Sequence, residues 1–153
     1  MLGLVKDVSI IVAGAVTLIT FMTGVVQYIR QGRQHRATQF VEMRRRFLED
    51  PSFREILNML GTNDARLANL PIQDRRNFVG FLEEVALMVN SQVLSARVAH
   101  YMFGYYVLLV DGCEPFWEGL DRTSEYWSVF RGFAQTMKTQ RGIAARNPQE
   151  LRF

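Results

Sequence analysis

Lysine is nearly missing from this sequence: 153 residues carry 2 Lys beside 16 Arg. Arginine is planar, permanently charged and shaped for two-pronged pairing with phosphate or carboxylate, so this balance goes beyond what solubility requires. Cysteine is reduced to Cys113, which excludes an intrachain disulfide and any cysteine-based zinc site and fits a reducing compartment. Histidine is limited to His35 and His100, too few to hold a metal without acids drawn from several elements. Catalytic signatures are missing as well: no G-x-S-x-G, no phosphate loop and no H-E-x-x-H. Glu83 and Glu84 are neighbours about 100° apart on a helix, so they do not converge as an acid/base pair. No alternating apolar–polar run reads as a strand, and there is no internal repeat. No cofactor, metal or small-molecule substrate is expected, and an enzyme is the least favoured class.

Charge is missing altogether from Val8 to Ile29, 22 consecutive positions. A helix of that length spans roughly 33 Å, against a hydrocarbon core of roughly 30 Å. A cleaved signal peptide would carry its positive charge ahead of a shorter apolar run; here the arginines follow the run. Residues 8–29 therefore read as a transmembrane helix, with 1–7 as a short tail outside. Lys6 and Asp7 cancel before it, whereas Arg30, Arg33, Arg36, Arg44, Arg45 and Arg46 follow it with Glu42 as the only acid among them. Basic residues collect on the cytoplasmic side, so the expectation is a bacterial inner-membrane protein, N-terminus out and C-terminal domain cytoplasmic. The six arginines form a collar suited to anionic lipid or nucleic acid.

At about 100° per residue, Ser9, Ala13, Thr17, Thr20, Gly24 and Gln27 share a sector of roughly 80° on this helix. Small residues let helices approach closely in lipid, and hydroxyls bond across the contact, so the stripe reads as a self-association face or the lining of a lumen. The competing reading is that small residues are common in membrane helices, where Ser and Thr bond their own backbone.

The remainder reads as all-α: a basic juxtamembrane helix over 30–49, a cytoplasmic bundle of four to five helices over 50–141, and a tail over 142–153. Phe40, Val41, Phe47 and Leu48 repeat apolar pairs at seven residues. Asp50-Pro51 restarts the chain as N-cap and first helical position. Phe53, Ile56, Leu57 and Leu60 line one face before Gly61. Pro71 opens a helix reaching about Val89. Ser95 caps a central core helix over 96–110, apolar nearly all round with Val98, Tyr101 and Met102. A last helix runs from about Ser124 to Gln140, with Tyr126, Trp127, Phe130, Phe133 and Met137 as its buried face. Phe103 and Leu108 are expected in the core, as are Tyr105, Tyr106, Trp117 and Trp127, and His100 reads as a core or interface histidine.

The segments EEVALMV (Glu83 to Val89), FGYYVLLV (Phe103 to Val110), FWEGL (Phe116 to Leu120) and YWSVFRGFA (Tyr126 to Ala134) resemble a bacterial family catalogued as domain of unknown function 4760. That resemblance extends to the N-terminal anchor and the DPSF step from Asp50 to Phe53, and implies no activity. The layout is also similar to the membrane accessory proteins of type VI-B CRISPR loci, in which a membrane helix precedes a divergent HEPN-class helical domain. Those assemble as pores that aid phage defence. The resemblance implies a homo-oligomer, with a CRISPR nuclease or RNA as partner. HEPN ribonucleases use an R-x(4–6)-H pair. Arg30 and His35 fit that spacing, which an arginine-rich chain also meets by chance. Two functions follow as expectations: a self-associating membrane effector, in its strongest form a pore, and a membrane-tethered module that recruits protein or RNA through its arginine collar.

Overall fold

The computed structural model describes the backbone of residues 2–144 and the side chains of residues 17–28, 31 and 38–141. It is all-α, with seven helices and no strand among the described residues. Contacts divide the chain into two units, Met1–Gln39 and Phe40–Phe153.

The first unit lies within α1 (Leu2–Glu49), a helix that runs unbroken from the uncharged stretch through the arginine-rich one. The sequence explains the continuity: no proline interrupts it before Pro51. Residues 17–28 are exposed on every face, with Leu18, Ile19, Phe21, Met22 and Val26 each more than half accessible. Among the described residues no helix is long and apolar enough to cross a membrane. The described side chains of the uncharged run begin only at Thr17 and number a dozen here, short of the roughly twenty that a span needs.

The second unit is built around a cluster of phenylalanines. Phe47, on the last turns of α1, has its ring 5.1 Å from Phe81 in a stacked arrangement and 5.3 Å from Phe103 edge-on. Phe53, Phe78 and Tyr106 close the same cluster. Offset and edge-on pairs of this kind add about 0.5–1.5 kcal/mol each beyond their burial. Of the expected seven-residue repeat only half is core: Phe40 and Phe47 are buried, while Val41 and Leu48 are exposed.

At Asp50 the helix stops, since a residue preceding proline is pushed out of the α region. Asp50 sits at ψ 122°, and its carboxylate accepts from the N–H groups of Ser52 (2.9 Å) and Phe53 (3.2 Å), opening α2 (Pro51–Leu60) as expected. A 3₁₀ turn (Ala65–Asn69) leads to α3 (Ile72–Asn90), whose Phe78, Phe81, Leu82 and Val85 face the core.

Ser95 caps the next helix, which begins as α4 (Ala96–Ala99), widens into a π turn (His100–Gly104) and continues as α5 (Tyr105–Gly112). Its inward positions Ala99, Phe103, Val107 and Asp111 recur every four residues. In a strict α-helix that spacing drifts about 40° per step. The wider π turn takes up the drift and keeps the four on one side. The outward side differs from expectation: Tyr101 and Tyr105 are exposed, and Leu108 is only half-buried. A short α6 (Glu114–Trp117), a turn closed by Gly119 at φ +75°, and a 3₁₀ turn (Glu125–Trp127) precede α7 (Ser128–Ala144). The last helix thus starts later and ends later than the sequence indicates, and Tyr126 is exposed where a buried face was expected. Trp127, Phe130, Phe133 and Met137 are buried against α3, α5 and the π turn.

Candidate functional site

Polar clefts open on two sides of the second unit's described residues. One, of about 490 Å³, runs along the outer face of α3 and is walled by Arg46 and Tyr126. Its floor is lowered at Gly80, where no side chain intervenes. Arg46 lies over the Phe81 ring at 5.6 Å and pairs with Glu84 at 3.2 Å. Gln73 donates to Asn77 across one turn (2.8 Å). Arg76 lines this cleft and also an adjoining one of about 350 Å³ beside Asp121 and Ser124. Arg46 and Arg76 face Asp50, Glu84 and Asp121, so the trough is of mixed charge with an exposed tyrosine at its side. Those are the features of a protein-contact surface more than of a nucleic-acid track.

The other cleft, about 540 Å³, lies where α5 and α7 meet the segment before α7. At its base Asp111, with only a tenth of its side chain accessible, accepts from Arg122 Nη2 and Lys138 Nζ, each at 2.8 Å. Burial alone would raise this carboxyl, but the Lys138 hydrogen bond and the Arg122 charge outweigh it and hold the group below its ordinary value. Arg141 completes the lining. His100, on the π turn, is held below the usual imidazole value by burial first and by the Arg141 charge second, so it is neutral at pH 7.

Other charged groups hold the fold. Arg75 is 2% exposed, and its guanidinium donates to the carbonyls of Phe116 (2.8 Å), Glu118 (2.7 Å) and Ala68 (3.4 Å). Arg131 clamps the next stretch through the carbonyls of Arg122 (3.0 Å) and Ser124 (2.6 Å). The segment 116–124 is therefore fastened at both ends by arginine. Glu83, expected to be ordinary surface charge, accepts from the Phe130 N–H (3.0 Å) in the first turn of α7. Burial pushes its carboxyl up, and that hydrogen bond opposes the shift. Cys113 is buried, and burial raises its thiol. Among the described residues no group of His, Cys, Asp and Glu gathers where it could hold a metal.

The residues singled out in the sequence are distributed unevenly. Ser9, Ala13, Arg30, Arg33, His35 and Arg36 lie outside the described side chains. Thr17, Thr20, Gly24 and Gln27 are exposed on α1, and the space beside Gly24 is open to at least 4 Å. Neighbouring Thr23 bonds its own backbone, at the carbonyls of Ile19 (3.0 Å) and Thr20 (2.8 Å). Of the collar's second half, Arg44 is exposed, Arg45 pairs with Glu42 three residues back, and Arg46 is turned onto Phe81 and Glu84. Arg75 and Asp111 were not singled out. Spacing offered a signal for Arg75, which falls in line with Phe78, Val79 and Leu82 on the apolar side of α3.

Comparison with known proteins finds no counterpart: no family model, no curated protein and no solved structure matches this chain.

Proposed function

We propose that this chain is a membrane-anchored, self-associating effector of the bacterial inner membrane. In this reading residues 8–29 cross the bilayer with the N-terminus outside and the second unit in the cytoplasm. The stripe of Ser9, Ala13, Thr17, Thr20, Gly24 and Gln27 joins copies into a homo-oligomer. In its strongest form the assembly is a pore that perturbs the membrane in phage defence, as the likeness to the type VI-B accessory proteins suggests.

The observation that carries the reading is the side-chain environment of residues 17–28. Leu18, Ile19, Phe21, Met22, Val25 and Val26 are all exposed, and they fan over roughly 160° of the helix surface, opposite Thr17, Thr20, Gly24 and Gln27. Each such side chain gains about 1.5–3 kcal/mol on leaving water, so the six together approach roughly ten. That is comparable with the whole stability of a domain, about 5–15 kcal/mol. An uncovered apolar side of that width is satisfied by lipid, and the arginines that follow supply the cytoplasmic stop.

A second reading, a membrane-tethered module that recruits a partner, is favoured by the trough between Arg46, Arg76 and Tyr126, since arginine and tyrosine dominate contact energies at interfaces. Expressed in a bacterium, the full chain should stay in the membrane pellet after an alkaline carbonate wash and dissolve in detergent. Recovery in the carbonate supernatant would defeat both readings. Reconstituted into liposomes, it should release an entrapped dye; retention of the dye by liposomes that hold the protein favours the tethered module.

A further inference from the structure

The cleft over Asp111 goes beyond the membrane reading and does not depend on it. Three cations, Arg122, Lys138 and Arg141, line it around one buried carboxylate. The other acid at hand is Glu114, 4.0 Å from Arg122 Nη1 and 89% exposed. Positive charge is in excess whether or not Glu114 is counted. One of the chain's two lysines stands here, in a protein that otherwise uses arginine.

Asp111 arranges these groups without exhausting them. Arg122 has five N–H donors and gives one to Asp111; Lys138 has three and gives one. Arg141 makes no hydrogen bond or ion pair among the described residues, apart from the charge it presents to His100. Because the carboxylate is nine-tenths buried beneath them, the spare donors of Arg122 and Lys138 are left to the open side of the cleft. A volume of about 540 Å³ suits a small ligand or headgroup. The size of the excess decides the ligand class. With Glu114 turned to solvent, two positive charges remain unmatched; one carboxylate would answer half of that. A phosphate monoester carries about −1.5 to −2 at pH 7 and has three acceptor oxygens for fork-shaped and point donors together.

We propose that Arg122, Lys138 and Arg141, held in place by the buried Asp111, form a binding site for a phosphate-monoester dianion. The same chemistry is offered by a soluble phosphate compound and by the headgroup of phosphatidic acid.

The test uses the full chain in a neutral detergent, with inorganic phosphate as probe and acetate and chloride at matched ionic strength as controls. Phosphate should raise the melting midpoint, and acetate should not. Arg141→Glu touches neither Asp111 nor the core, so its midpoint in chloride should equal that of the parent. Its apparent affinity for phosphate should fall about tenfold or more. Arg76→Glu, on the α3 trough, should respond to phosphate like the parent. In nanodiscs of neutral lipid, a midpoint rise on adding phosphatidic acid that Arg141→Glu abolishes assigns the site to a headgroup; a rise with inorganic phosphate alone assigns it to a soluble ligand. Absence of both rises overturns the proposal. So does an equal response to acetate, an Arg141→Glu variant that binds like the parent, or an Arg76→Glu variant that loses as much, since each shows general charge attraction only.

Discussion

Arg75 shows what the arginine excess is partly used for. Its charge is buried without an ion pair among the described residues, and three backbone carbonyls take the place of a carboxylate. Burial pushes the guanidinium down from its ordinary value while the charge of Glu118 opposes this, yet an arginine stays protonated throughout the working range. Those carbonyls belong to α6, to the residue that follows it and to the 3₁₀ segment. Removing the donor strands buried acceptors, each worth about 1–3 kcal/mol. Arg75→Met keeps most of the apolar stem and should still lower stability by about 3–5 kcal/mol, read from chemical denaturation of the detergent-solubilised chain. A loss under about 1 kcal/mol would mean that water reaches the carbonyls once the guanidinium has gone. Arg75→Lys should rescue only in part, because one ammonium can replace Nη1 at Phe116 and Glu118 but not also Nη2 at Ala68.

At the scale of elements, the sequence was most readable where one residue type has one local job. Asp50 before Pro51 and Ser95 before Ala96 mark helix starts by their own side-chain chemistry, and both stand where expected; Gly61 follows Leu60 as expected, at the ordinary helical φ of −62°. The π turn was hidden, because four-residue spacing of apolar side chains looks like an ordinary helix until the drift is followed over three steps. Tyr101, Tyr105 and Tyr126 read as core because aromatic size signals burial, yet all three are exposed; periodicity does not say which aromatic lies off the buried side. The charged sites were the least legible: Asp111, Arg122 and Lys138 are 11 to 27 residues apart in sequence and meet only through the fold. Gly104 tests the π turn directly. A methyl there would come within 2.8 Å of His100 Cδ2, so the ring must leave its place. Gly→Ala in a helix otherwise gains about 0.8–1 kcal/mol, while forced repacking costs about 1–3. Gly104→Ala should therefore destabilise by about 1 kcal/mol in the parent and stabilise by about 0.5–1 kcal/mol in a His100→Ala background. A double-mutant cycle with no coupling would remove the contact from the account.

On the scale of the whole molecule, the two units differ in what a single chain in water supplies to them. The second unit buries its phenylalanines within itself, whereas residues 17–28 leave theirs and their aliphatic neighbours outside. Lipid would satisfy the apolar sides of that helix, but it does not by itself employ the Thr17, Thr20 and Gly24 side. Close approach of a second helix would, since dispersion between backbones replaces the driving force that lipid removes. Gly24 is the place to ask the question. Among the described residues, nothing beyond its chain neighbours and its own helix backbone lies within 4 Å of a Cβ built there, so a larger side chain displaces none of them. Gly24→Ile also adds apolar volume, which leaves the run at least as fit for the bilayer. Any loss of assembly is then the loss of a neighbour. Crosslinking in membranes should give oligomers for the parent and for the control Ile19→Leu, which lies off the stripe, and mostly monomer for Gly24→Ile. Dye release from liposomes should fall with the oligomer. Full assembly of Gly24→Ile would move the interface away from this stripe. Release that persists in a monomeric variant would separate membrane damage from assembly and leave the tethered module as the better account.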